Sequence, residues 1–166
     1  MQQGLKIAVI GMGQMGMHHA RVFKKMPLVE LAAICESDND RREKAREEFN
    51  CRAYANYNEL LVDPAIDAVS IVLPDNMHRD CVEMAVKNKK HIFLEKPLAN
   101  NLDDGQAMYD ALKDYEKVFT VGFILRFDPR FAMIKESLDD GTLGDIIHAY
   151  CRRNSPITGP RRYIGA

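Results

Sequence analysis

Residues 5–16 read Leu-Lys-Ile-Ala-Val-Ile-Gly-Met-Gly-Gln-Met-Gly, an apolar segment followed by three glycines at the spacing G-x-G-x-x-G. The apolar, partly β-branched segment predicts a strand over 5–10, and the residues after the glycines predict a helix over 14–25. Three glycines at this spacing also occur in surface loops without a ligand, so the flanking elements decide the interpretation. A strand before them and a helix after them favour a dinucleotide-binding turn.

Each glycine of this turn has a separate predicted task. Gly11 permits the tight turn out of the strand, Gly13 lets the backbone approach a pyrophosphate, and Gly16 lets the helix pack against the strand. The free N–H groups and the positive dipole end of the following helix suit a diphosphate. The first helical residues, Gln14 and Met15, are therefore predicted cofactor contacts together with the glycines.

A second predicted strand, at 29–35, is followed by Glu36, which lies twenty positions after Gly16. An acidic side chain at this place accepts hydrogen bonds from the hydroxyls of the adenosine ribose. A solvated acid at a strand end is the alternative, but the strand, the glycines and the spacing together favour the ribose contact. A carboxylate would also repel the 2'-phosphate of NADP, so the sequence predicts NAD. NADP stays open because polar and basic residues that could pair with that phosphate follow the strand: Ser37, Arg41 and Arg42.

The composition argues against several classes of binding partner. The chain has 166 residues, of which 46% are hydrophobic and 28% charged, enough for one sizeable core. Its 23 basic and 24 acidic residues leave no positive excess for nucleic acid. No apolar run approaches the ~20 residues of a membrane span, and no leader precedes the first strand, so we expect a cytoplasmic protein without a membrane partner. We expect no metal site, and we expect reduced, buried cysteines without a CxxC pair: Cys35, Cys51, Cys81 and Cys151.

Strand and helix patterns alternate along the chain. The remaining predicted strands are 52–54, 67–73, 90–94 and 117–122, and the remaining predicted helices are 39–49, 57–62, 78–88 and 102–115. Near-continuous apolar strands alternating with helices indicate a parallel sheet that is covered on both faces. The expected fold is therefore α/β, a doubly wound parallel sheet of the Rossmann type.

Three segments directly follow predicted strands, at the edge where doubly wound sheets bind their ligands. They are Leu73-Pro74-Asp75-Asn76-Met77-His78, Glu95-Lys96-Pro97 and Gly122-Phe123-Ile124-Leu125-Arg126-Phe127-Asp128-Pro129. The last two resemble the Glu-Lys-Pro and Gly-Phe-x-x-Arg-Phe-x-Pro motifs of the glucose-fructose oxidoreductase, inositol dehydrogenase and rhizopine catabolism protein family. The turn Asp140-Gly141-x-Leu143-Gly144 is also similar to that family, and the resemblance covers essentially the whole chain.

The resemblance implies roles for the Glu-Lys-Pro segment. Lys96 would lie beside the nicotinamide ring and the substrate as the catalytic residue, and Glu95 near the nicotinamide ribose. An ammonium in a partly desolvated cleft can hydrogen-bond a substrate hydroxyl and favour proton removal as hydride leaves. The alternative for Lys96 is an ordinary surface lysine. A cis peptide bond before Pro97 is a further expectation.

The segment 73–78 is similar to the family's Thr-Pro-Asn-x-x-His, with two departures. Leu73 and Asp75 stand where Thr and Asn are frequent, so the expected cofactor contacts of Leu73, Pro74 and Asp75 are those of the backbone. His78 is expected either to touch the cofactor or to cap the next helix. Arg126 is expected either to reach the cofactor or substrate or to join the two domains by an ion pair. A helix-surface or packing role is expected for two further histidines, His18 and His19.

Members of this family are longer than this chain, and their second domain supplies an Asp-x-x-x-His pair whose histidine is the acid/base. We therefore expect a cofactor domain at 1–122 and a truncated second α+β domain at 123–166, with 145–154 as its first strand. The unpaired edges of that strand predict pairing with a second chain and hence a homo-oligomer. Because the pair is absent, we expect cofactor binding with little or no turnover by this chain alone.

Two classes of function stay open, with a third inside the family. The first is an NAD-dependent oxidoreductase acting on a secondary hydroxyl of a sugar, sugar acid or cyclitol. The second is a non-catalytic module that senses or stores NAD(H). The third is an NAD-dependent glycosidase that uses a transient oxidation to cleave a glycosidic bond.

Overall fold

The structure is a computed structural model that describes residues 4–152 and 154. The chain divides into two compact units, residues 1–123 and residues 124–166. Over the described ranges, no helix combines the length and the apolar character that a membrane crossing requires.

The first unit is an alternation of parallel strands and helices. The strands are β1 Leu5–Ile10, β2 Val29–Cys35, β3 Arg52–Tyr54, β4 Ala68–Ile71, β5 His91–Leu94 and β6 Phe119–Val121. The helices are α1 Gln14–Lys25, α2 Asn39–Phe49, α3 Tyr57–Val62, α4 His78–Lys87 and α5 Leu102–Leu112, with a 3-10 turn at Asp75–Met77. The six strands form one parallel sheet in the order β3-β2-β1-β4-β5-β6, which confirms the predicted Rossmann class.

The carboxyl ends of the central strands lie in one row. Ile10 pairs with both Cys35 and Ile71, Ile71 pairs with Leu94, and Leu94 pairs with Val121. The strand order reverses between β1 and β4, and in doubly wound sheets ligands bind at this switch point. The register therefore brings five loop-starting residues to the same edge: Gly11, Glu36, Val72, Glu95 and Gly122.

Two buried apolar clusters use alternate residues of the strands. Ile10 and Ile71 belong to one cluster, whereas Val9 and Ile34 belong to the other. This alternation follows from the period of two along a strand and means that helices cover both faces of the sheet. Each fully buried aliphatic side chain of this kind stabilises the fold by about 1.5–3 kcal/mol.

The second unit begins with a 3-10 turn at Ile124–Phe127 and continues as α6, Pro129–Asp139, which the sequence analysis missed. The sequence does contain a helix start here, because Asp128 caps the helix by accepting from Arg130 N at 3.0 Å and Pro129 occupies the first turn. None of the residues of α6 is buried. Its apolar residues Phe131, Ile134 and Leu138 stand at helical spacing, so the sequence also contained the helical period.

Two further expectations are corrected. The strand predicted at 145–154 is wrong over its described residues, 145–152 and 154, which have no strand structure, while 153 lies outside the described residues. A strand needs a neighbour to receive its ladder hydrogen bonds, and no strand occurs in the described part of the second unit. The cysteines are free, but only Cys35 and Cys81 are buried, whereas Cys51 is half-buried and Cys151 exposed.

Candidate functional site

The glycine turn after β1 is packed so tightly that two of its glycines leave no room for a Cβ. Gly11 has a φ of 93°, and a Cβ on it would lie 2.4 Å from the carbonyl oxygen of Val72. A Cβ on Gly16 would lie 1.8 Å from the carbonyl oxygen of Gly11. Gly13 differs from both, because a Cβ there would meet no atom within 4 Å. The space beside Gly13 is therefore open to a ligand.

The amino end of α1 is available to an anion. The helix begins at Gln14 with Gly13 as its N-cap, and no side chain caps it or places an acid in its first turn. The first N–H groups of an α-helix have no partner within the helix. Free N–H groups, a positive dipole end and the open space at Gly13 together fit a pyrophosphate. Met15 is exposed in this first turn.

Glu36 joins the end of β2 to the glycine turn. Its side chain is only 8% exposed. Oε2 accepts from the N–H of Met12 at 2.9 Å, and Oε1 accepts from the N–H of Asp38 at 3.0 Å and from Nη2 of Arg41 at 3.1 Å. Burial alone would raise the pKa of Glu36, but these hydrogen bonds and the Arg41 charge outweigh it and lower that pKa. The carboxylate is therefore ionised, and Oε2 can accept a second hydrogen bond from a ligand hydroxyl.

The arginines that could pair with the 2'-phosphate of NADP have hydrogen-bond partners within the protein. Arg42 donates through Nη1 to the carbonyl oxygens of Glu36 at 2.9 Å and Ser37 at 3.3 Å. Arg41 pairs with the Glu36 carboxylate, although its side chain is 59% exposed. As long as the Glu36 carboxylate is ionised, its negative charge holds the Arg41 guanidinium beside it.

The loop after β4 contains Leu73, Pro74 and Asp75, which are half-buried or exposed. His78, in contrast, is 1% exposed, and its side chain does not cap α4. Its Nδ1 lies 3.0 Å from the carbonyl oxygen of Pro97 and its Nε2 lies 3.0 Å from that of Leu73. The structure therefore shows His78 joining two loops of the site instead of capping α4. Its contact with a cofactor stays a prediction.

The segment Glu95-Lys96-Pro97 follows β5 at the same edge. The Lys96–Pro97 peptide bond is cis, as expected. Lys96 is exposed, whereas Glu95 is 7% exposed and its Oε2 accepts from the N–H of Lys96 at 3.0 Å. The buried carboxylate thus holds the backbone from which the exposed ammonium extends.

His19 is the residue of this site that the sequence analysis underestimated. It lies on α1, three residues after Gly16, with Nε2 3.2 Å from Oε1 of Glu95 and Nδ1 2.9 Å from Oγ of Ser70. Its ring makes edge contacts with two phenylalanines, Phe23 and Phe93. The only local signal was its spacing from Gly16, which turns it toward the sheet.

Arg126 lies in the 3-10 turn of the second unit, so its contact with a cofactor or substrate stays a prediction. Within residues 4–152 and 154, no group of three or more His, Cys, Asp or Glu side chains is arranged to hold a metal ion.

Comparison with known proteins places the chain in a family. The GFO/IDH/MocA family, described as an oxidoreductase family with an NAD-binding Rossmann fold, matches residues 5–123. The chain is 35% identical over 161 residues to myo-inositol 2-dehydrogenase of Thermotoga maritima, covering 96% of this chain and 48% of that protein. It is 34% identical over 150 residues to scyllo-inositol 2-dehydrogenase (NAD(+)) of Bacillus subtilis, covering 89% and 44%.

A solved structure gives the same result. Scyllo-inositol dehydrogenase of Lactobacillus casei with bound NAD(H) and scyllo-inositol superposes with a TM-score of 0.81 at 27% identity, covering 86% of this chain and 43% of that one. The chain spans less than half the length of each of these relatives. Because the matched segment contains all six strands of the sheet, the chain belongs to the oxidoreductase family with an NAD-binding Rossmann fold.

Proposed function

We propose that this chain is the NAD(H)-binding portion of a dehydrogenase that transfers a hydride between nicotinamide and a secondary hydroxyl of a sugar, sugar acid or cyclitol. The observation that carries the proposal is the pairing of Glu36 with Met12 beside the open space at Gly13. Together they set an ionised carboxylate and a free helix end at the switch point of the sheet. The substrate class is supported by the inositol dehydrogenases to which the chain is similar.

Each end of the cofactor has a set of residues that suits it. The backbone at Gly11, Gly13 and Gly16, with the first turn at Gln14 and Met15, would hold the pyrophosphate. Glu36 would accept from the adenosine ribose hydroxyls. The backbone of Leu73, Pro74 and Asp75 would line the middle of the site, with His78 supporting that loop from beneath. When bound, the nicotinamide would supply the hydride acceptor or donor.

The catalytic residue in this proposal is Lys96. Its exposed ammonium can donate a hydrogen bond to a substrate hydroxyl, while Glu95 holds its backbone N–H. The ammonium favours the developing alkoxide but does not by itself remove the proton. A chain without a further proton acceptor would therefore bind cofactor and turn over little. A cytoplasmic location, NADP as a second cofactor and a homo-oligomer are further predictions.

The test is calorimetric titration with NAD and, separately, with NADP. Gly13→Ala is the sharpest variant, because the new methyl group meets no protein atom and can obstruct only a ligand. Gly105→Ala is the matched control, since its Cβ would make only an ordinary 3.8 Å contact with Ala99 on a different part of the fold. We expect NAD to bind the wild type and the control, and to bind Gly13→Ala at least about tenfold more weakly. Binding of neither nucleotide to the wild type would overturn the proposal.

A further inference from the structure

A buried chain of polar groups lies beneath the Glu-Lys-Pro segment. Ser70 in β4 is fully buried, His19 on α1 has a side chain only 11% exposed, and Glu95 at the end of β5 has one 9% exposed. The imidazole of His19 stands between the hydroxyl of Ser70, at 2.9 Å, and Oε1 of Glu95, at 3.2 Å. Three separate elements of the fold therefore meet at one ring.

The surroundings of the ring define the direction of these hydrogen bonds. Burial lowers the pKa of His19, and the Glu95 carboxylate opposes that shift without reversing it. The neutral ring is therefore the main form at neutral pH. Its Nε2–H donates to Glu95, and its Nδ1 accepts from the Ser70 hydroxyl. His18 on the same helix also acts to lower the pKa of His19, and the two phenylalanines against the ring are neutral.

Serine, histidine and a carboxylate in this order also describe a nucleophilic triad, but burial excludes that use. The side chain of Ser70 has no exposed surface, so no substrate can reach its hydroxyl. The arrangement instead ends at Glu95, whose second oxygen accepts from the N–H of Lys96.

Glu95 is confined on a third side by Gly122. A Cβ on Gly122 would lie 3.3 Å from Oε1 of Glu95 and 3.2 Å from Cζ of Phe93. The carboxylate thus contacts α1 through His19 and its own loop through the N–H of Lys96, and the space between it and Gly122 is too narrow for an added Cβ without a shift. Of these contacts, the hydrogen bond from His19 is the one made by a side chain outside its own loop.

We infer that His19 is a positioning residue for the nicotinamide end of the site: it holds the Glu95 carboxylate in one orientation and thereby sets the backbone of Lys96. The inference rests on the proposed function, because only a bound nicotinamide gives this end of the site its task. Without His19, the buried carboxylate loses a charge-assisted hydrogen bond and turns toward solvent. The side chain of His19 bonds to Ser70 and Glu95 and not to Glu36, so we expect the adenosine end to be unchanged.

The experiment compares two ligands that differ only in the nicotinamide end. Wild type, His19→Leu and His19→Gln are titrated calorimetrically with NAD and with ADP, which lacks both the nicotinamide and its ribose. We expect His19→Leu to weaken NAD about tenfold while ADP stays within about twofold. His19→Gln, whose amide can donate from nearly the position of Nε2, is expected to recover most of the NAD affinity. His18→Leu, an exposed histidine on the same helix, is the matched control and should change neither affinity.

The possible results distinguish a failure of the proposed function from a failure of the inference alone. Wild type that binds neither ligand would overturn the proposed function, and this inference with it. Equal losses for both ligands in His19→Leu, or no loss for either, would overturn the inference alone. If His19→Leu does not fold, a measurement on the wild type still tests the inference. Ring nitrogen NMR is expected to show His19 protonated on Nε2 and unprotonated on Nδ1 at neutral pH. The opposite tautomer would contradict the contact with Glu95.

Discussion

Met12 donates its backbone N–H to Oε2 of Glu36 at 2.9 Å, joining the glycine turn after β1 to the end of β2. Twenty-four positions separate the two residues, and the parallel register of β1 and β2 brings them together. The same carboxylate holds Arg41 through its other oxygen. One side chain therefore shapes the turn, presents an acceptor to a ligand and restrains a nearby cation.

Replacing Glu36 is expected to change cofactor preference. Glu36→Ala removes the acceptor proposed for the ribose hydroxyls, so we expect NAD affinity to fall by about 10- to 100-fold. The same change removes the nearer of two carboxylates beside Arg41 and leaves Asp38 at 3.9 Å, so the guanidinium can turn to pair with a 2'-phosphate. NADP affinity is therefore expected to rise relative to NAD, as measured by calorimetry with both nucleotides.

The double variant Glu36→Ala, Arg41→Ala is the control for this preference. It lacks the freed guanidinium and should lose the gain for NADP while keeping the loss for NAD. An equal fall of both affinities in the single variant would show that Arg41 does not reach the phosphate.

Acidic solution is expected to remove a contribution of Glu36 to stability. Hydrogen bonds and Arg41 overcome the effect of burial and lower the folded-state pKa of Glu36 below its ordinary value of 4.5. The stabilisation is therefore complete above that ordinary value and is lost as the pH falls through the folded-state pKa. The free energies of unfolding of wild type and Glu36→Gln, measured in urea, should differ at pH 7 and converge in acid.

Glu48→Gln serves as the comparison for the pH series. Glu48 forms a surface ion pair with Arg21, and such pairs contribute under about 1 kcal/mol. If the free energy of unfolding of the wild type still exceeded that of Glu36→Gln by its full pH 7 margin well below pH 3, the lowered pKa assigned to Glu36 would be contradicted.

Replacing Gly16 or Gly13 of the turn by alanine is expected to change the stability of the fold by very different amounts. Alanine is intrinsically better than glycine in a helix by about 1 kcal/mol, which alone would favour Gly16→Ala. The new Cβ would lie 1.8 Å from the Gly11 carbonyl oxygen, however, so we expect destabilisation of more than about 3 kcal/mol. Gly13→Ala has room and should stay within about 1 kcal/mol of wild type. Thermal unfolding by circular dichroism checks both, and equal unfolding temperatures would refute the clash.

His78 is expected to stabilise the fold by joining two loops. Its buried ring meets the carbonyl oxygens of Leu73 and Pro97, and His78→Ala would leave these groups without that partner and open a cavity. The expected loss is about 2–5 kcal/mol in urea unfolding. His18→Ala on the exposed face of α1 is the control and should cost little. A loss below about 0.5 kcal/mol for His78→Ala would mean that the two loops hold their positions without it.

Local sequence patterns were sufficient to predict much of the fold. The strand at 5–10, the helix at 14–25 and the helix at 39–49 have the predicted bounds, because turn glycines, caps and apolar period are properties of neighbouring residues. The same locality explains the errors. The strand predicted at 145–154 needs a partner strand that the described residues 124–152 and 154 do not supply. Helix α6 was missed although Asp128 and Pro129 mark its start.

The sequence alone located the glycine turn and the acid after β2 from residue types and spacing, and the resemblance to a family located the Glu-Lys-Pro segment. It could not show that His19 meets Glu95 and Ser70, or that His78 spans Leu73 and Pro97. Three of these contacts join residues 19 to 76 positions apart in the chain, and the fourth, between His78 and Leu73, spans 5 positions. They depend on the register of β4 with β5 and on the packing of α1 and α4 against the sheet, which only tertiary structure decides.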